Sequence, residues 1–220
     1  MTSSALERLW RADSHRKTRF HTQKDQLVLT PDLLSSLVTT LARHGFDRYA
    51  ALPWLTYPAI RFLDDRLTGR RMLEFGCGTS TLWYAKRCAE VISLENNEDW
   101  FAKVARTVEA VPNVSLRLMS SDLDFLTAAE GDGGSFSAVV IDCQPVGASH
   151  AFADTDTLRT ACLEAAVRHA TTDCIFVIDN TDAFPALDAA ISRLFRNRNI
   201  LRFPGWTPGN LHPCETTIVI

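Results

Sequence analysis

The chain lacks any apolar run close to the roughly 20 residues a membrane-spanning helix needs, so no membrane partner is expected. It also lacks a basic excess. Its 23 Lys and Arg face 26 Asp and Glu, for a formal charge of −3. Proteins that live on phosphate-backbone affinity are usually basic, so nucleic acid is disfavoured as the main partner. None of the six cysteines forms a CxxC pair, which argues against a zinc ribbon or a thioredoxin-like motif. The polar N-terminus has no apolar h-region. With the unpaired cysteines, this gives the expectation of a reduced, cytoplasmic protein. Repeats and low-complexity tracts are missing too. What remains is an ordinary globular mixture, 46% hydrophobic and 22% charged over 220 residues, enough for one domain.

The expected organisation is an arm over residues 1–29 and a single domain over 30–220. The arm shows no clear period and reads as solvated surface. Two helices within 30–68 open the domain. Thr30-Pro31-Asp32 starts the first with a capping hydroxyl, Pro and an early acid. Leu33, Leu37, Val38 and Leu41 form its apolar face, and Gly45 follows its end. The second starts near Thr56-Tyr57-Pro58 and closes at Gly69.

Beyond Gly69, short apolar strands alternate with helical stretches. Strands are expected over 72–75, 91–94, 114–119, 138–141 and 175–178, with two more over 200–203 and 216–220. Such units imply a doubly wound α/β sheet, mostly parallel and covered on both faces. No helix separates the last two strands, so one of them runs antiparallel. Gly205 to Pro213 between them reads as a long turn that carries His212 to the mouth of the site.

Ligands of such sheets bind at the carboxyl ends of the strands, and acids cluster there. The first strand delivers Glu74-Phe75-Gly76-Cys77-Gly78-Thr79-Ser80. Two glycines let the backbone approach a ligand closely. A dinucleotide fingerprint wants a third glycine at position 81, where this chain has Thr81. Glu74 would repel a phosphate but suits an amine. The second strand ends in Glu95, 17 residues beyond Gly78, about where an acid holds ribose hydroxyls. Ser120-Ser121-Asp122 follows the third strand, and Asp122 can accept from an adenine amine. The fourth strand ends in Asp142 and the fifth in Asp179-Asn180. Packing does not ask for this many carboxylates.

The segment 72–80, Ile92-Ser-Leu-Glu95, Ser121-Asp122 and Val140-Ile-Asp142 together resemble the ordered motifs of class I S-adenosylmethionine-dependent methyltransferases. The resemblance covers about Leu52 to Ile220. It implies a Rossmann-like, seven-stranded sheet in the order 3-2-1-4-5-7-6. It implies S-adenosyl-L-methionine as cofactor, with Gly76, Cys77, Gly78 and Ser80 at its methionine part and Glu74 near the ammonium. Glu95 and Asn96 would hold the ribose, Ser121 and Asp122 would face adenine, and Asp142, the acid closing strand four, would stand in the cofactor site. Methyl transfer to an oxygen or nitrogen of a small-molecule acceptor follows as the expected activity. Two alternatives stay open: a nicotinamide-dependent oxidoreductase, and a non-catalytic nucleoside-binding member of the fold.

A second resemblance is to cation-dependent catechol-type O-methyltransferases, which place an Asp after strand four and Asp-Asn after strand five. It implies Asp142, Asp179 and Asn180 as ligands for Mg²⁺. Pro145 stands where that family has its catalytic lysine. The base is then missing or supplied from elsewhere, such as His150 or His212. Trp54 and Tyr57 either join the core or close over the cofactor. After strand four the chain reads Asp142-Cys-Gln-Pro145, unlike the motif of amino-directed DNA methyltransferases.

Overall fold

Apolar residues on both faces of a strand force it into the middle of a sheet, and this sets the architecture. In the computed structural model, β1 (Arg71–Phe75), β2 (Glu90–Glu95), β3 (Val114–Leu118), β4 (Phe136–Ile141), β5 (Ala170–Ile178), β6 (Ile200–Thr207) and β7 (Asn210–Val219) form one seven-stranded sheet in the order β3-β2-β1-β4-β5-β7-β6. The structure describes residues 16–128, 135–145, 152 and 154–220. The first five strands pair in parallel, and β7 is antiparallel to both β5 and β6. The expected order and the single antiparallel strand are both present.

Side chains of a strand alternate between faces, and two buried layers result. Leu73, Phe75, Ile92, Leu94, Val139 and Ile141 face one layer. It is covered by α5 (Asp122–Ala128), α6 (Thr155–Val167) and α7 (Pro185–Leu194), through Phe125, Leu163 and Ile191 among others. Met72, Val91, Ala138, Val140 and Val177 face the other. It is covered by α2 (Tyr57–Leu63) and α3 (Thr79–Ala85), through Leu63 and Tyr84 among others. Helix α4 (Glu98–Val108) packs Val104 and Val108 against Cys77.

Four local expectations are corrected. Helix α1 (Asp32–Phe46) runs through Gly45 and ends at Asp47, which takes the left-handed φ of 49°. Its buried residues are Ser36 and Thr40, while Leu34, Val38 and Leu41 are exposed. Polar bonds to the β6–β7 hairpin seat this helix: Ser36 Oγ donates to the Asn210 carbonyl at 2.6 Å, and Thr39 Oγ accepts from Gly209 N–H at 3.0 Å. Helix α5 was not expected, because its seven residues run toward a turn-rich stretch at 131–134 and carry too short a period to stand out. The expected Gly205–Pro213 turn is strand on both sides, with the reversal at Pro208-Gly209. A Cβ on Gly205 would lie 2.8 Å from the Pro58 ring, so its glycine serves close packing of α2 on β6 rather than a bend.

The arm, finally, is docked rather than solvated from Arg16 onward. Thr22 and Val28 are buried, His21 and Leu27 form a β-bridge, and Phe20 meets Trp206 edge-on at 5.9 Å. Gln23 N–H donates to Asp182 at 2.8 Å, and the Lys24 ammonium bonds Asp188 at 2.9 Å and Glu215 at 3.1 Å. Removing residues 1–28 therefore uncovers the fully buried Trp206. The expected result is a red shift in tryptophan emission and a melting point lower by roughly 5 °C or more. An unchanged spectrum and midpoint would show that the docked arm contributes nothing to the fold.

Candidate functional site

The carboxyl ends of β1, β2 and β4 frame a cavity of about 360 Å³. Its floor is the Gly76-Cys77-Gly78 turn. Gly76 takes a φ of +94°, and a Cβ there would stand 2.8 Å from the Asp142 carbonyl oxygen. Only glycine tolerates both conditions, so the turn from β1 can lie directly against the end of β4. Thr79 and Ser80, Glu95 to Asn97, and Asp142 to Gln144 complete the inner wall. Trp54, Trp100 and Arg43 form the outer wall. The Arg43 guanidinium lies 4.2 Å from the Trp54 ring centre, and Trp100 Nε1–H donates to the Cys77 carbonyl at 2.7 Å.

Glu95 faces this cavity. Its Oε1 accepts the N–H groups of Asn96 and Asn97, both at 2.9 Å. Burial holds this carboxyl above the usual range, and hydrogen bonds from Asn97, the Cys77 thiol and Asn96 oppose the shift. Asn96 spans the rim, its amide donating to Asp122 Oδ1 at 2.8 Å and to the Gln144 carbonyl at 3.0 Å.

Three expected residues do not line the cavity. Ser121 and Asp122 stand outside it, and Asp122 bonds Asn96 at the rim. Glu74 is fully buried beneath the glycine turn rather than at its mouth. Its carboxyl accepts from Ser80 Oγ and Ser93 Oγ at 2.6 Å and from Thr81 Oγ at 2.7 Å. Burial outweighs these three donors and pushes Glu74 up to about 7. This carboxyl ties β1 to β2 and to the first turn of α3.

A second cavity of about 310 Å³ adjoins the first, and Arg43, Trp54, Asp142 and Gln144 line both. Asp179, Asn180 and Asp182 after β5, His212 on β7, and Arg16 and Gln23 of the arm supply its polar lining. His212 thus reaches the site from a strand, not from a loop. His150 lies outside the described residues. Trp54 stands at the cavities, whereas Tyr57 does not line them and places its hydroxyl 3.4 Å from Thr39 Oγ.

The three expected Mg²⁺ ligands do not fit a divalent ion. Asp142 Oδ1 accepts from Arg159 Nη2 at 2.7 Å, and Asn180 Oδ1 lies 3.4 Å from Arg159 Nη1. Asp179 Oδ1 accepts from Thr216 Oγ at 2.7 Å. A divalent ion there would have to share its ligands with a permanent cation. Burial, reinforced by the charge of Asp142, pushes Asp179 up to about 8.

Arg43, Trp100, Gln144 and Arg159 escape sequence reasoning. Trp100 reads as an ordinary core residue of α4. Arg159 carries one signal: it shares a helix face with Leu163 and Ala166, where a charge is out of place.

Comparison with family models gives no match, and neither does comparison with curated proteins. Solved structures do match. The O-methyltransferase TomG from Streptomyces achromogenes, involved in tomaymycin synthesis and solved with S-adenosylmethionine, is 18% identical. The match covers 88% of this chain and 91% of TomG, with a TM-score of 0.57. An O-methyltransferase from Bacillus cereus, in complex with S-adenosylhomocysteine, is 19% identical over 90% of this chain and 94% of its own, at 0.56. An rRNA methylase from Streptococcus thermophilus is 12% identical over 72% and 92%, at 0.52. At these identities the likeness shows the fold: the Rossmann-like sheet of class I methyltransferases. Among the described residues no helix is long and apolar enough to cross a membrane.

Two outcomes follow for the glycine turn. Gly76→Ala combines a left-handed φ with a backbone clash and is expected to lower unfolding free energy by about 1–3 kcal/mol in denaturant titrations. Glu74, raised from 4.5 to about 7 by burial, holds a proton in the native chain that the unfolded chain releases. Its contribution is present in full below pH 4.5 and is lost as pH rises through 7. Glu74→Gln is expected to flatten that part of the stability profile, by up to about 3 kcal/mol. Parallel profiles for the two proteins between pH 5 and 8 would place the titration elsewhere.

Proposed function

We propose that this chain transfers a methyl group from S-adenosyl-L-methionine to an oxygen or nitrogen of a small polar acceptor. The observation that carries this reading is the pair of adjoining cavities. They share Arg43, Trp54, Asp142 and Gln144 as a common wall. Two substrates side by side, with their reacting atoms meeting at a shared boundary, are what a direct group transfer requires. The sheet edge and the structural neighbours solved with S-adenosylmethionine or its demethylated product support the same assignment.

The cofactor, when bound, supplies an electrophilic methyl group on a sulfonium. The chain's own residues bind and aim. The backbone of Gly76, Cys77 and Gly78, with Ser80, receives the methionine part. The Glu95 carboxylate accepts from the ribose hydroxyls, and the N–H groups of Asn96 and Asn97 keep the carboxyl in place. Asn96 borders the adenine side, positioned by Asp122. Trp54 and Trp100 exclude water from the outer face. In the second cavity the acceptor lies among Gln23, Gln144, Asn180 and His212. His212, which lines this cavity, would take the proton that the acceptor oxygen or nitrogen gives up as its lone pair bonds carbon, and His150 is the other candidate base. The net charge of −3 and the modest size of the second cavity, about 310 Å³, favour a small acceptor over RNA.

Calorimetric titration with S-adenosylhomocysteine and, separately, with NAD tests the reading. Saturable binding of the first and none of the second is expected. Glu95→Ala removes a charged acceptor worth about 1.5–3 kcal/mol, so affinity for S-adenosylhomocysteine is expected to fall by roughly 10- to 100-fold. Tight NAD binding with no heat from S-adenosylhomocysteine would assign the site to hydride transfer instead. Retained ligand binding with no methyl transfer to any acceptor tried would favour a nucleoside-binding, non-catalytic role.

A further inference from the structure

We propose that Arg159 is a built-in cation that takes the place of a divalent metal ion between the ends of β4 and β5. The inference rests on the fold and on this residue's contacts, and it holds whether or not the reaction is methyl transfer.

Arg159 sits on α6 among Leu158, Leu163 and Ala166, with its whole residue at 0% exposure. An arginine in such a place is tolerated only when its N–H groups and its charge are both satisfied. Every acceptor comes from one of two strand ends. Nε donates to the Cys143 carbonyl at 2.8 Å and Nη2 to Asp142 Oδ1 at 2.7 Å, both just past β4. Nη1 donates to the Asp179 carbonyl at 2.9 Å, with Asn180 Oδ1 at 3.4 Å, both just past β5. The Phe184 ring lies 4.9 Å from the guanidinium carbon. The planar fork therefore bridges the two strand ends as a metal ion would bridge its ligands.

The donor set explains the choice. Two carboxylates and an amide oxygen are hard ligands suited to Mg²⁺, and without a positive charge among them they repel one another. A guanidinium supplies that charge permanently, because it stays protonated throughout the working pH range. It also excludes a second cation. An ion bound to Asp142 Oδ1 and Asn180 Oδ1 would stand within a few ångströms of Arg159 nitrogens that already donate to them. Asp142 lines both cavities, so Arg159 is a positioning residue for their shared wall and does not itself touch a ligand.

Mn²⁺ binding, followed by electron paramagnetic resonance and by thermal melting of the intact chain, tests this. The wild type is expected to show no saturable Mn²⁺ site and no change in melting point with EDTA. Arg159→Met leaves the oxygen ligands without a cation and is expected to melt roughly 10 °C lower. Mn²⁺ should then bind the variant saturably and raise its melting point. Asp142→Asn in the same chain should abolish that binding while restoring part of the lost stability, which a packing role alone would not do. One equivalent of Mn²⁺ bound by the wild type and lost in Asp142→Asn overturns the proposal, even if Arg159→Met fails to fold. So does a folded Arg159→Met that binds no Mn²⁺.

Discussion

A missing side chain at Gly76 decides where everything else at the site can stand. With no Cβ, the turn leaving β1 lies directly on the Asp142 carbonyl, and the β1–β4 ladder continues one step past the strands through Asp142 N–H to the Phe75 carbonyl at 2.9 Å. That contact brings residues 142–144 up to the floor of the first cavity while their other side bounds the second. Any larger residue at 76 would push the β4 end outward and open the partition. The positive φ and the close approach act together, so the position is constrained by local backbone energy and by tertiary packing at once.

Carboxylates end four of the central strands, and each is accommodated by different chemistry. Glu74 is sealed under the turn by three hydroxyls. Glu95 is held by two backbone N–H groups at the start of α4 and by the Cys77 thiol, at the wall of the first cavity. Asp142 takes a guanidinium, and Asp179 takes the Thr216 hydroxyl. The same residue type thus serves as a structural tie, a cavity-facing acceptor and an ion-pair partner. Burial raises the carboxyl pKa at Glu74, Glu95 and Asp179, and the compensating donor determines how much charge remains available to a ligand.

The strands, the glycine turn and the position of Glu95 were legible because each depends on residues close in sequence: apolar runs, a Gly-x-Gly turn, an acid at a strand end; the order of the strands came only from the resemblance to methyltransferases. The errors have common physical roots. Pro204, Gly205 and Pro213 made the last hairpin look like a loop, yet β6 is an edge strand and Pro213 lies beyond the part of β7 that pairs with β5. Proline is tolerated at such places because no ladder bond is lost. The face of α1 was misassigned because its seat is polar, and an apolar stripe is informative only where the helix packs on a hydrophobic surface. Glu74 was drawn to the mouth of the site by its place at a strand end, whereas hydroxyls from Ser80, Thr81 and Ser93 draw it inward. Asp142, Asp179 and Asn180 form a plausible metal set in one dimension. Arg159, 17 residues further along, changes its meaning only once α6 is laid across the strand ends.

The two cavities differ in what holds them. The first is built from turns anchored directly to β1, β2 and β4, the most buried part of the sheet, so its shape is set by the core. The second is closed by the arm, by the β6–β7 hairpin and by the segment after β5, which sit on the sheet's periphery and are joined by side-chain bonds. Gln23 and Lys24 reach Asp182, Asp188 and Glu215, while Arg43 reaches from α1 to the Gly209 carbonyl at 3.2 Å and Asn210 Oδ1 at 3.0 Å. Peripheral elements of this kind can change sequence without disturbing the core. On the proposed reading, a fold that keeps one cavity constant and varies the other can present a single donor to many acceptors. In this chain that division falls along Asp142–Gln144, the partition that Gly76 and Arg159 hold from opposite sides.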